Sequence, residues 1–169
     1  MSKYFLDSDS LITSYRSYYS FDFGGNFWNK LATILRQGEA VILANVRSEI
    51  TKNSKDGLAE WLKNLKGCKI LTVRNNPKVL DCYAKIFQYL QNCNLYSDKA
   101  LLKWAYVSIA DPWIIASAMA YDYTIVKNEQ SAGKITTKSG NAKIPDVAKN
   151  FGVECITLFD FMRRMNFQF

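Results

Sequence analysis

The sequence contains no histidine, and it has little proline, glycine and cysteine, with 3, 8 and 4 residues in a chain of 169. Without imidazole, the chain cannot build a serine or cysteine hydrolase site around a histidine base, nor a zinc site that needs histidine. The low proline and glycine content excludes collagen-like structure, and a hydrophobic content of 49% is that of a globular protein. Any chemistry must therefore use carboxylates, lysines or hydroxyls.

The few cysteines and the lack of a long apolar run also bound the environment of the protein. The cysteines are widely spaced, without a Cys-x-x-Cys pair, which predicts reduced core thiols in a cytosolic protein: Cys68, Cys82, Cys93 and Cys155. Residues 104–121 are the most apolar stretch, but Asp111 and Pro112 interrupt it. The opening segment reaches Asp7 after three apolar residues, too few for a secretion signal. We expect a soluble, cytoplasmic protein with no membrane partner.

The length and charge favour one domain with a polyanionic partner. A chain of 169 residues fits a single domain spanning residues 1–169. The net charge of +7 is confined to two segments, because residues 45–74 carry +4 and residues 127–149 carry +3. Clustered lysines and arginines bind phosphates with release of counterions, although solvated lysine faces would give the same pattern.

Short apolar runs alternate with helical patterns along the chain. Strands are predicted over residues 4–6, 40–44, 70–73, 124–126 and 155–158, and apolar residues at helical spacing lie between them and after the last. Asn45 is predicted to cap the helix after the second strand, and Asp111-Pro112 to begin another. Strands that are apolar throughout are buried on both faces. The predicted fold class is therefore α/β, a three-layer α/β/α sandwich with a mostly parallel central sheet.

Acidic residues follow three of these strands. Asp7 ends the first strand, Glu49 lies one turn into the helix after the second, and Glu129 follows the strand 124–126. Carboxyl ends of parallel strands meet at one edge, so these acids should converge there, with Asp111 as a fourth. Crowded carboxylates repel one another, and hard oxygen ligands favour Mg²⁺ or Mn²⁺. Taken singly, Asp111 would also serve as a helix cap and Glu49 as a surface residue.

Three segments then resemble the motifs of PIN-domain ribonucleases. Leu6-Asp7-Ser8-Asp9 resembles their opening motif, Asp111 and the apolar helix after it their third, and Ile125 to Glu129 their fourth. Glu49 fits the second acid. The whole layout is similar to an uncharacterised PIN-like family of prokaryotic proteins, and the similarity spans nearly the whole chain. The sequence departs from the usual motifs at Asp9, where Asn is common, and at Glu129, where Asp is common.

The resemblance implies a metal-dependent endoribonuclease, most often the toxin of a toxin–antitoxin pair. Its catalytic and metal-binding residues would be Asp7, Glu49, Asp111 and Glu129, with Asp9 as a further candidate ligand, and its cofactor one or two Mg²⁺ or Mn²⁺ ions. The expected partners are an RNA substrate, a cognate antitoxin protein and a second copy of the chain. The candidate RNA-binding residues of the two basic segments are Lys52, Lys55, Lys134, Lys138 and Lys143.

Two alternatives remain open at this point. Asp7-Ser8-Asp9 after an apolar strand also resembles the first motif of haloacid-dehalogenase-type phosphatases, although the later pair of adjacent acids that those enzymes need does not follow. A non-catalytic RNA- or partner-binding module with a PIN-like fold is the other alternative, and the departure at Glu129 favours it.

Overall fold

The structure is a computed structural model that describes residues 3–52 and 54–169. Met1, with which the predicted domain begins, lies outside the described residues, as do Ser2 and Asn53. The strands of the described chain are β1 (Tyr4–Leu6), β2 (Ala40–Leu43), β3 (Ile70–Leu71), β4 (Thr124–Val126) and β5 (Cys155–Ile156). They form one sheet in the order β3-β2-β1-β4-β5, and every neighbouring pair is parallel.

Helices cover both faces of this sheet, so the predicted three-layer α/β/α sandwich is confirmed. In chain order they are α1 (Ser8–Thr13), α2 (Gly25–Gln37), α3 (Ala44–Thr51), α4 (Gly57–Asn64), α5 (Pro77–Asn92), α6 (Asp98–Ala105), α7 (Asp111–Tyr121), α8 (Ile144–Asn150) and α9 (Leu158–Arg164). A π-helical turn, Ser14–Tyr18, continues α1. Helix α7 packs against α5, α8 and β4, whereas α3 packs against α1, α4 and β2.

The central strands are apolar throughout because neither of their faces meets water. Every residue of β1, β2 and β4 is buried. Phe5 and Ile42 have no exposed surface at all, and they lie at the centre of a core that extends into the helices. Helix α2 ends at Gly38, which adopts the left-handed conformation that favours glycine (φ 72°). The predicted parallel sheet with two covered faces follows from this burial.

Four element boundaries differ from the predicted ones, and one of them is the end of β3, which stops at Leu71 and not at residue 73. Helix α3 begins directly after β2, so Leu43 is its N-cap and the predicted cap, Asn45, lies inside the first turn. Asp111 is the first residue of α7 and not its cap, which is Ala110. Strand β5 stops at Ile156, since Thr157 caps α9 by accepting a hydrogen bond from the backbone N–H of Asp160.

The cysteines and the helices bear on the expected environment. All four cysteines are free and only partly buried, so they are not residues of the fully buried core. Within the described part of the chain, none of the helices combines the length and the apolar content that a membrane crossing requires.

The strand order places a topological switch point between β1 and β4. From β1 the chain proceeds outward to β2 and β3, then returns to β4 on the other side of β1 and continues to β5. The backbone N–H of Asp7 donates to the carbonyl of Val126 (3.1 Å), which joins the carboxyl ends of the two central strands. In open parallel sheets, ligands bind in the crevice at this position.

Candidate functional site

A buried ion pair lies at the switch point. Asp7 directly follows β1 and is 1% exposed, and Lys127 directly follows β4, with a side chain that is 7% exposed. The ammonium group of Lys127 donates to Oδ2 of Asp7 at 2.6 Å. Because a buried charge is costly without a partner, these two side chains depend on each other.

Lys127 also lies close to two further acids. Its Nζ is 3.7 Å from Asp9 Oδ2 and 3.6 Å from Glu129 Oε2. Burial lowers the pKa of Lys127, but the charges of Asp7 and Asp9 and the hydrogen bond to Asp7 outweigh it and raise that pKa above its ordinary value. Lys127 is therefore a cation at the centre of the acidic cluster.

Lys127 is the functional residue that sequence reasoning missed. It was counted only as one charge of a basic segment, although it stands immediately after a buried strand, where lysine is rare unless it is paired. The position of Lys127 directly after a buried strand is therefore the sequence signal for a buried, paired lysine. The pattern could not show that the side chain points into the protein.

Asp9 holds the segment after β4 in place. Its Oδ2 accepts a hydrogen bond from the backbone N–H of Glu129 (2.9 Å), and its Oδ1 accepts one from that of Asn128 (3.3 Å). Burial, opposed by Lys127, raises the pKa of Asp9 from 3.8 to about 6. With both oxygens engaged by backbone groups, Asp9 is well suited to positioning Lys127 and Glu129, and its role as a metal ligand stays a prediction.

Glu49 connects three helices at the same edge. From α3, its Oε1 accepts a hydrogen bond from the backbone N–H of Ala110 (2.9 Å), and its Oε2 accepts one from the hydroxyl of Ser8 (2.9 Å). Much of the residue is exposed, but partial burial of the carboxylate raises its pKa above the ordinary value. The sequence therefore placed Glu49 correctly at the acidic edge, and its contact at Ala110 fixes the start of α7.

Asp111 begins α7 and faces the other acids. Burial first, and then the charge of Asp7, raise the pKa of Asp111 from 3.8 to about 7. The charges of Glu49 and Glu129 act in the same direction, and that of Lys127 opposes them. The Asp111 carboxylate accepts no hydrogen bond from the described residues. The structure thus brings the four predicted acids together, with Asp111 as the least compensated.

Glu129 lies at the outer side of the cluster. Its side chain is 32% exposed and lies between two ammonium groups, with Oε2 3.6 Å from Lys127 and Oε1 3.7 Å from Lys143. Lys143 thus lies beside Glu129, and the RNA contact expected of it stays a prediction.

The free oxygens of the cluster decide whether a metal ion fits. Oδ1 of Asp7 is buried and has no hydrogen-bond partner within the described residues. Over residues 3–52 and 54–169, no three acids or thiols converge on a point in a way that would hold a metal ion as they stand. Mg²⁺ usually needs only one or two protein carboxylates and keeps several waters. Asp7 and Asp111 fit that requirement, because their carboxylates are the least occupied.

An open groove adjoins the acids on the side of β3. It has a volume of about 560 Å³ and is lined by Ser48, Glu49, Lys52 and Thr72, among others, with Arg74 at its rim. Arg74 was not among the predicted contacts. It donates to the carbonyl of Val107 (3.3 Å), in the connection that leads to α7.

The other predicted basic residues are farther from the acids. Lys55, Lys134 and Lys138 are exposed, and within the described chain they form no salt bridge with the cluster. Their proposed contacts with RNA stay predictions.

Comparison with known proteins gives one family. A search of curated proteins found no match to this chain. The model of a family described as "Domain of unknown function (DUF4411)" matches residues 4–169, which include every residue of the acidic cluster. The chain therefore belongs to the DUF4411 family.

Proposed function

We propose that this protein is a Mg²⁺- or Mn²⁺-dependent endoribonuclease. The observation that carries the proposal is the meeting of four acids from distant segments, Asp7, Glu49, Asp111 and Glu129, at the switch point of a parallel sheet. The motif order that resembles PIN-domain ribonucleases supports it, since the acids of all four motifs share one edge. A fold of this class serves many functions, so the proposal depends on the site.

In this proposal, two of the acids would bind the metal ion and two others would position neighbouring residues. Asp7 and Asp111 would hold the divalent ion, because Oδ1 of Asp7 is unpartnered and Asp111 accepts no hydrogen bond within the described residues. When bound, such an ion lowers the pKa of a coordinated water and stabilises charge on the phosphate. Glu49 keeps Asp111 in place through Ala110, and Asp9 keeps Glu129 in place through its backbone N–H.

The groove beside Glu49 would hold the RNA strand. Its volume of about 560 Å³ lies within the roughly 300–1,000 Å³ of pockets that enclose small ligands. Lys52 and Arg74 offer positive charge at its rim, and Lys143 offers it on the other side of the acids. Phosphates of a single strand that crosses the acidic edge would meet a cation on each side.

The biological setting follows from the resemblance alone. We extend the proposal to a toxin of a toxin–antitoxin pair, with a cognate antitoxin protein and a second copy of the chain as partners and the cytoplasm as its location. A gene for a small protein next to that of this chain, and co-purification of the two products, would support this extension.

Cleavage of RNA tests the proposal. Purified protein is incubated with a mixed RNA pool and Mn²⁺ or Mg²⁺, alongside EDTA and an Asp7→Asn, Asp111→Asn double variant. Asp81→Asn is the matched control, since Asp81 is an exposed residue of α5 that forms a surface ion pair with Lys85. We expect cleavage by wild type and control, and none with EDTA or the double variant. Intact RNA with both ions would contradict the proposal.

A non-catalytic binding module is a second candidate, and Lys127 favours it. An ammonium 2.6 Å from Asp7 and within 3.7 Å of Asp9 and Glu129 neutralises part of the cluster without any metal ion. In this case the protein would bind RNA equally well in EDTA and in Mn²⁺ and would not cleave it.

The phosphatase alternative gains one contact and still lacks another feature. Lys127 lies beside Asp7 and Asp9, and such a lysine is what that alternative needs. The pair of adjacent acids that it also needs does not follow β4, after which Glu129 stands alone. A labile aspartyl-phosphate, an acyl phosphate on Asp7, formed with release of the alcohol after incubation with a phosphomonoester would favour the phosphatase.

A further inference from the structure

We infer that Lys127 is a fixed cation that takes the place of one divalent ion, so that the site binds a single Mg²⁺ or Mn²⁺ at Asp7 Oδ1 and Asp111. This inference rests on the proposed function and specifies the metal centre of that same site. It concerns the number of ions, which the acid motifs leave open between one and two.

The first step is the position of the Lys127 ammonium group. The Lys127 side chain is 7% exposed, and its ammonium group lies near three carboxylates from two segments of the chain, at 2.6 Å from Asp7, 3.7 Å from Asp9 and 3.6 Å from Glu129. A cation surrounded by oxygens of several acids is the arrangement that a bound metal ion would produce. Lys127 therefore already occupies the position next to Asp7 Oδ2, Asp9 and Glu129 that a metal ion would take.

The second step is the set of oxygens that Lys127 leaves free. Asp7 points Oδ2 at Lys127, whereas its Oδ1 is buried and has no partner within the described residues. Asp111, the first residue of α7, accepts no hydrogen bond at its carboxylate from the described residues. The oxygens left for a further cation are thus Asp7 Oδ1 and the carboxylate of Asp111.

The third step is repulsion between cations. A divalent ion placed between Asp9 and Glu129 would lie against the ammonium group that already occupies that position. Its usual oxygen ligands are also engaged, because both oxygens of Asp9 accept backbone hydrogen bonds. Like charges in a poorly hydrated site repel each other strongly, which excludes a second ion there.

Titration of the purified full-length protein with Mn²⁺ in the absence of RNA tests the inference, with bound and free ion measured by electron paramagnetic resonance. We expect one ion per chain for wild type, two for Lys127→Met, and none for Asp7→Asn. Lys143→Met is the matched control, since its ammonium contacts the same Glu129 at 3.7 Å but lies at the exposed side, and it should still bind one. Thermal unfolding adds a second readout, in which Mn²⁺ should raise the Tm of Lys127→Met more than that of wild type.

The outcomes separate this inference from the proposed function. Two ions on wild type, no ion on wild type, or a folded Lys127→Met that binds only one would each overturn the inference. If Lys127→Met does not fold even with Mn²⁺, the wild-type count still decides between one ion and two. One bound ion without RNA cleavage would uphold the single-ion site and refute the ribonuclease, whereas cleavage with two bound ions would do the reverse.

Discussion

Asp111→Asn is expected to stabilise the metal-free protein at neutral pH. The charged form of Asp111 is disfavoured by burial and by the neighbouring charges of Asp7, Glu49 and Glu129, which together raise its pKa from 3.8 to about 7. On folding, the Asp111 carboxylate therefore loses hydrating water and comes close to other negative charges. Asparagine removes the charge while it keeps the size and shape of the side chain.

The sign of the pH dependence follows from the raised pKa of Asp111. The folded protein holds this proton more tightly than the unfolded chain, so the stability linked to it is full below about pH 4 and is lost as the pH rises through about 7. A difference of about three pKa units corresponds to about 4 kcal/mol. Since Asp111 is not fully buried and interacts with other titrating acids, we expect the linked change in the free energy of unfolding to be roughly half of this value, or ~2 kcal/mol in total.

Urea unfolding in EDTA between pH 5 and pH 8 measures this effect. The part of this effect that falls between pH 5 and pH 8 is about 1.3 kcal/mol, so the free energy of unfolding of Asp111→Asn minus that of wild type should grow by that amount over this range. The control, Asp81→Asn, changes a side chain that is 66% exposed, and its difference from wild type should stay within about 0.5 kcal/mol. A difference for Asp111→Asn that is flat in pH, or that falls as pH rises, would refute the assignment of Asp111 to an under-compensated cluster.

Three further predictions concern substrate, positioning and metal. In EDTA, fluorescence anisotropy should show that Arg74→Gln weakens binding of a short single-stranded RNA by about tenfold. The slope of log affinity against log salt concentration should become shallower by about 0.7. The control Arg36→Gln also alters an arginine that is bound to a backbone carbonyl, that of Lys66, and it should change neither the affinity nor the slope. Glu49→Gln should lower the rate of RNA cleavage by roughly 10- to 100-fold, without weakening RNA binding in EDTA, and an unchanged rate would remove Glu49 from the site. Mn²⁺ at 100 times its Kd should stabilise wild type by about 2.7 kcal/mol at pH 7.5, and the same gain in Asp7→Asn by calorimetry would show that the ion binds elsewhere.

The sequence predicted the sheet well because the central strands are buried on both faces. Residues 4–6 and 124–126 read as short apolar runs, and they are β1 and β4 without change. The ends of β2 and β5 were predicted too long, since an apolar residue that starts a helix, such as Ala44 or Leu158, looks like one that continues a strand. Apolar content shows burial, but it does not show where the backbone turns from strand to helix.

The acids of the site were also predictable, because parallel strands put their carboxyl ends at one edge. Asp7, Glu49 and Glu129 were placed there by strand position and Asp111 by the start of a helix alongside, and the pKa of Asp111 reflects all of the others. The inward turn of Lys127 was not predictable, since a lysine in a basic segment gives the same pattern whether it faces water or the cluster. That direction is decided by the sheet, in which β4 lies beside β1 and directs Lys127 at Asp7.

The ends of the RNA products test the central claim most directly. In the proposed reaction, a water activated at the acidic edge would attack phosphorus and expel the 3′ oxygen, so we expect fragments with 5′-phosphate and 3′-hydroxyl ends, formed with Mn²⁺ and absent with Asp7→Asn. Attack by the neighbouring 2′-hydroxyl needs no metal ion and leaves 2′,3′-cyclic phosphates instead. Fragments with cyclic phosphate ends, produced equally in EDTA and by Asp7→Asn, would contradict a metal-dependent site at Asp7.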